Sequence, residues 1–253
     1  MTLQLNPIQV RRERAFLVLA GIFLCAMTML NIIGITRFIQ LGPFAVAVGV
    51  LPYPITFLVT DLISELYGKA RANFLVTVGL ALNFFILGIM WLGDVLPAAE
   101  NQPPWQQLTL ASPVGLPNGE TVEGQVGLFS LMFATTSGAV FASMLAYIAA
   151  QYCDVYLFHF WKRLTNGKHL WLRNNGSTVV SQIVDSFMVI SVTFGASYFA
   201  GAITLNQMGS LMADNYLFKL TIALCDTPFV YLGVYYLKKH LQFSDEEILA
   251  LAH

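Results

Sequence analysis

Five stretches of this chain, 15–36, 38–60, 72–93, 124–153 and 186–213, carry no Asp, Glu, Lys or Arg, and each is long enough to cross a bilayer. About 20 helical residues at 1.5 Å rise span the roughly 30 Å of hydrocarbon, where only helices and closed barrels satisfy their own backbone. A sixth stretch, 211–237, qualifies if it takes Lys219 and Asp226 into the membrane. A soluble fold is excluded by composition, since 57% of the residues are hydrophobic and 11% charged, against roughly 25% charged in a soluble domain. The expectation is an all-α integral membrane protein, a single transmembrane domain over 1–253. Its six transmembrane helices fall at about 15–36, 43–67, 72–93, 126–153, 177–203 and 211–237.

Lys and Arg accumulate on the cytoplasmic side of membrane proteins. With the N-terminus inside, the inner segments hold Arg11, Arg12, Arg14, Lys69, Arg71, four basic residues between 162 and 173, Lys238 and Lys239, while the outer segments hold only Arg37. Both termini are therefore expected in the cytoplasm. The run after Arg14 is too long for a cleavable leader and reads as the first membrane helix. Segment 154–175, where aromatics alternate with basic residues, has the composition of an interfacial cytoplasmic anchor. Such a patch abutting the membrane on both sides argues against nucleic acid as a partner. The outer loop 94–123 reads as a connector or a lid.

The second span is interrupted by Gly42, Pro43, Gly49, Pro52 and Pro54, and a proline removes a backbone donor and clashes with the preceding turn. A regular helix is expected to resume near Pro54 and stop at Gly68. Three helices per half admit a 3+3 inverted repeat, hinted at by TFLVTD in helix two and STVVSQIVD in helix five. Inverted-repeat transporters place their sites near the midplane.

Ionisable groups inside a span cost at least a few kcal/mol and are functional candidates by default. Asp185 lies twelve residues from Arg173 and Asp226 twelve from Lys238, which puts each about 18 Å deep, near the bilayer centre. Asp61 lies about 12 Å in from Lys69 and Glu65 about 6 Å. The three aspartates are expected to ring a solute site, with Asp185 the first choice for the contact and Glu65 a contact or gate. Lys219 reads either as an outer-interface anchor or as a carboxylate's partner. Amide and hydroxyl groups join the lining: Thr56, Gln151, Asn174, Asn175 and Gln182. They suit a neutral, planar solute rich in donors and acceptors. Cys25, Cys153 and Cys225 have no metal or disulfide spacing, so neither metal nor cofactor is expected.

Residues 54–68, PITFLVTDLISELYG, and 146–185, AYIAAQYCDVYLFHFWKRLTNGKHLWLRNNGSTVVSQIVD, with CDTPF at 225–229, closely resemble the queuosine precursor transporter family, part of a vitamin-uptake transporter group. The resemblance implies a multi-pass protein of the bacterial inner membrane that imports 7-deazaguanines, especially 7-cyano-7-deazaguanine. The residues alone reach only a transporter of a small polar solute. Two rivals remain: a substrate-binding subunit of an ATP-driven importer, since the chain has no Walker motif, and an intramembrane aspartyl-type enzyme, for which no glycine-flanked acid pair is found. A non-enzymatic transporter is the preferred reading, and a homo-oligomer is left open.

Overall fold

The computed structural model describes residues 6–34, 36–99, 102–117, 119–164, 170–244 and 246–248. Its long helices are α1 Pro7–Ile33, α2 Tyr53–Tyr67, α3 Lys69–Val95, α4 Leu128–Leu164, α5 Leu170–Phe199 and α6 Leu205–Leu241. Among the described residues, six helical segments, counting the turn ahead of α2, are long and apolar enough to cross a membrane. The protein is an all-α, multi-pass membrane protein. Apolar side chains that a soluble fold would hide stay exposed, among them Leu17 and Val18 on α1 and Phe74, Phe84, Phe85 and Trp91 on α3, as expected of surfaces whose solvent is lipid.

Local sequence explains the breaks. The Asn6 side-chain oxygen accepts the Ile8 backbone N–H at 3.1 Å, ahead of Pro7, a helix-start pairing in which proline loses no needed donor. Residues 43–52 do not form the start of an α-helix. Instead β1 Phe38–Leu41 and β2 Phe44–Ala47 pair antiparallel, from Phe38 opposite Ala47 to Leu41 opposite Phe44. The turn is Gly42–Pro43, with Gly42 at φ +58°, a conformation that favours glycine in a tight hairpin. After a 3-10 turn at Val48–Val50, α2 begins at Tyr53, not at 43, with Pro54 in its first turn. It ends where Gly68 adopts φ +87°.

Two other boundaries differ from expectation. α4 and α6 have 37 residues each, about 55 Å of helix, longer than the hydrocarbon is thick. The described parts of 154–175 are the last turns of α4 and the first turns of α5. That stretch has no proline and is rich in Leu, Trp, Lys and Arg, so nothing in it stops a helix at residue 153.

The chain divides into two compact units. The first comprises 1–30, 49–84 and 221–253. Its core joins Phe23 of α1, Val59, Ile63 and Leu66 of α2, Leu75 of α3 and Leu241 of α6. Helices α2 and α6 approach closely at Gly233, where a Cβ would stand 2.8 Å from Leu62 Cδ2. At the basic end of this unit Arg12 clasps the chain beyond α6. It donates to the Leu241 and Gln242 carbonyls and to Glu247, and lies 4.0 Å from the centre of the Phe243 ring. Hydrogen bonds from Arg12, then from the Ser244 backbone N–H, hold the Glu247 carboxyl at about 2, below its ordinary 4.5.

The second unit comprises 31–48 and 85–220. Here α4 packs along α5, and Ile190 and Phe194 of α5 pack against Met208 of α6. The hairpin is tied down by the Phe38–Phe194 and Phe44–Phe218 ring contacts and by the Ala45 N–H, which donates to Asp214 Oδ2 at 3.1 Å. The loop between α3 and α4 folds into two short β-pairs, β3 Gln107–Thr109 with β6 Gln125–Gly127, and β4 Val114–Gly115 with β5 Thr121–Val122. It is fastened to α5 where Ser197 Oγ donates to the Leu116 and Pro117 carbonyls.

Candidate functional site

On α5, Ser181, Gln182, Asp185, Ser186, Thr193 and Ser197 are all buried. Ser181, Asp185, Thr193 and Ser197 recur at multiples of four residues, so they follow one slanting row along the helix, with Gln182 and Ser186 beside it. This polar band crosses α6 at two successive rungs. Lys219 Nζ donates to Asp185 Oδ2, an ion pair in which both residues are buried. One turn away, Asn215 Nδ2 donates to Ser186 Oγ at 3.2 Å. The i and i+4 spacing of Asn215 and Lys219 places both on the α6 face that meets α5.

Lys219 is therefore a carboxylate's partner and not an interfacial anchor. Asp185→Asn would therefore take the carboxylate partner away from a buried ammonium. Ser186 and Asn215 escaped the sequence reading. Only adjacency to Asp185 and the i, i+4 spacing from Lys219 could have signalled them.

The first unit holds the other acids. Asp61 and Glu65, one turn apart on α2, are exposed, whereas Asp226 on α6 is 8% exposed. Both Asp226 and Glu65 act electrostatically on Asp61. Asp226 Oδ2 has no hydrogen-bond partner among the described residues. Thr56 is buried, but its hydroxyl proton goes to its own helix, to the Tyr53 carbonyl at 2.7 Å. Thr60 likewise donates to Thr56 and Phe57 carbonyls, the usual fate of helical threonines. Thr56 thus has an acceptor oxygen to offer and no donor.

The expected acids fall into two groups: Asp61, Glu65 and Asp226 in the first unit, and Asp185 with Gln182 in the second. Gln151, Asn174 and Asn175 belong to α4 and α5, but their side chains lie outside the described residues. Two open surface clefts, about 620 and 650 Å³, are lined by Leu205 to Ala213 and by the Leu17–Met29 face of α1 with Leu51, Pro52 and Ile55. Neither is lined by a charged side chain.

Residues 47–233 match the family described as "Putative vitamin uptake transporter", a span that includes Asp61, Glu65, Asp185, Lys219 and Asp226. The chain is also 27% identical over 202 residues to the "Probable queuosine precursor transporter" of Bacillus subtilis (strain 168), a match covering 78% of this chain and 75% of that protein. No solved structure matches the chain significantly. With most of its length matched, including both groups of membrane carboxylates, the chain belongs to the vitamin uptake transporter family.

Proposed function

We propose that the protein imports queuosine precursors, 7-cyano-7-deazaguanine foremost, across the bacterial inner membrane, and that it recognises them at Asp185, Lys219 and Gln182. The observation that carries this reading is the Asp185–Lys219 pair buried in the second unit. A buried ion pair is seldom more stabilising than apolar residues of the same volume, so holding α5 to α6 is a poor reason to keep one. A recognition role is a better reason. A deazaguanine edge offers a ring N–H and an amino group beside a ring carbonyl. The carboxylate accepts from the first two through Oδ1, and the ammonium donates to the carbonyl. The name of the Bacillus relative supports the same solute class.

The test is binding of labelled 7-cyano-7-deazaguanine to the purified chain and to Asp185→Asn/Lys219→Gln, which removes both charges together. Loss of charge-assisted hydrogen bonds worth about 1.5–3 kcal/mol should weaken binding on the order of tenfold to a hundredfold. A double variant that folds and binds as tightly as the parent overturns the site. Uptake by vesicles containing this chain alone separates an autonomous transporter, our reading, from a subunit that needs an ATP-driven partner. Both termini are assigned to the cytoplasm from the distribution of Lys and Arg. Cysteines introduced at Gln106 and Asn166 should label from opposite faces, and labelling from one face overturns the topology.

A further inference from the structure

Asp226 is buried in a membrane helix, yet its Oδ2 lacks a hydrogen-bond partner among the described residues. Its unit offers no positive charge at that depth. The helices of the first unit carry Arg11, Arg12, Arg14, Lys69, Arg71, Lys238, Lys239 and His240 near their ends and no other basic residue within the spans. α3 has no ionisable residue between Arg71 and Asp94. The remaining titratable side chains of the spans cannot supply a positive charge: Cys25 on α1, Tyr53 and Tyr67 on α2, and Cys225, Tyr231, Tyr235 and Tyr236 on α6. The next cation along α6, Lys219, is engaged by Asp185. The group to which Asp226 is electrostatically coupled here, Asp61, is itself an acid, and Glu65 acts on Asp61 in turn. A carboxylate in such a place is relieved by taking up a proton rather than by pairing.

Glu65, nearest the Gly68 end of α2, and Asp61, one turn further in, are exposed, and Asp226 is buried. That is the order a proton would follow between water and a hidden site, and membrane transporters relay protons along carboxylate chains. We propose that Asp226 is a proton-binding site that couples solute import to proton entry, with Asp61 and Glu65 as the relay between it and the basic end of the unit. One proton converts the Asp226 carboxylate to the acid during inward transport of one solute. It then passes to Asp61, to Glu65 and to water, restoring the carboxylate. This inference rests on the transporter reading above.

Two measurements on the full chain in lipid vesicles test it, and the first needs no solute. Infrared spectra of the parent near neutral pH should show the carbonyl stretch of a neutral carboxylic acid, shifted in D2O. The band should be lost in Asp226→Asn and retained in Glu65→Gln. Asp226→Glu should keep the band at a displaced frequency, which decides the matter if the Asn variant fails to fold. Absence of the band in the parent, or its appearance only when sodium is removed, overturns the proton site. Second, an acid exterior should drive accumulation of labelled 7-cyano-7-deazaguanine in parent vesicles. Asp226→Asn should keep solute exchange but lose that accumulation. Uptake indifferent to the pH gradient in the parent overturns the coupling. If no vesicle takes up the solute while the band is present, the solute assignment falls and the proton site stands.

Discussion

Asp185 and Asp226 are equally hidden, each 8% exposed, yet Asp185 meets a lysine while Asp226 is coupled to another acid, Asp61. The difference originates on α6. Where that helix crosses α5, Asn215 and Lys219 stand one turn apart and complete two polar rungs with Ser186 and Asp185. Further along, the same helix carries Asp226 with Pro228 two residues on and no basic residue until Lys238. One carboxylate is stabilised by a counter-charge fixed in the fold. The other has no ion pair among the described residues. Solute recognition suits the first environment and coupling suits the second.

The largest expected effect breaks the paired region. Lys219→Met strands the Asp185 carboxylate and should destabilise the protein by about 3–5 kcal/mol, whereas the double neutral variant should recover most of the loss. Asp226→Asn should cost no stability, because it breaks no ion pair among the described residues and Asn has nearly the shape of the neutral acid. Unfolding in detergent of the single and double variants provides the cycle that decides this. If Lys219→Met and Asp226→Asn unfold alike, the contrast between the two acids is wrong.

A smaller effect is expected at the helix contact that supports the acid group. In Gly233→Ala the new Cβ meets the Leu62 Cδ2 position at 2.8 Å. Leu62 is buried and has little room to yield, so overpacking of about 1–3 kcal/mol should follow. The same thermal measurement checks it, and an unchanged midpoint would mean that α2 and α6 are less tightly apposed.

The smallest effect lies outside the membrane, at Glu247. Its carboxyl is held below the ordinary 4.5, at about 2, so the native state favours the charged form. The stabilisation from the Arg12 contact is complete above pH 4.5 and is lost as pH falls toward about 2. The contact is exposed and screened, so the consequence is local fraying of the clasp rather than unfolding. Hydrogen exchange at Ser244 and Glu247 should rise across that window in the parent, and Glu247→Gln should flatten the pH dependence.

Much was legible in the chain because a bilayer imposes a length and a polarity on anything that spans it. The long uncharged runs identify the membrane helices without reference to neighbours, and the prolines and glycines before Pro54 mark where regular helix is impossible. What replaced the helix there, a Gly42–Pro43 hairpin seated against Phe194, Phe218 and Asp214, depends on contacts remote in sequence. Hydropathy falls at 153 while α4 runs on to Leu164, because a drop in hydropathy marks the edge of the lipid, not the end of a helix.

The candidate residues divide in the same way. Asp61, Glu65, Asp185, Lys219 and Asp226 declare themselves by charge in apolar surroundings, a one-dimensional signal that follows from the cost of burying charge. Depth along a helix can also be counted from sequence, and it put the three aspartates in one tier. It says nothing of the direction in which a side chain points or of what lies opposite. That Asp185 is neutralised by Lys219, that Thr56 spends its proton on Tyr53, and that Asp226 is coupled to another acid, Asp61, are pairings across helices. Only the tertiary structure decides them, because partner choice depends on helix rotation and crossing, which periodicity along one chain does not encode.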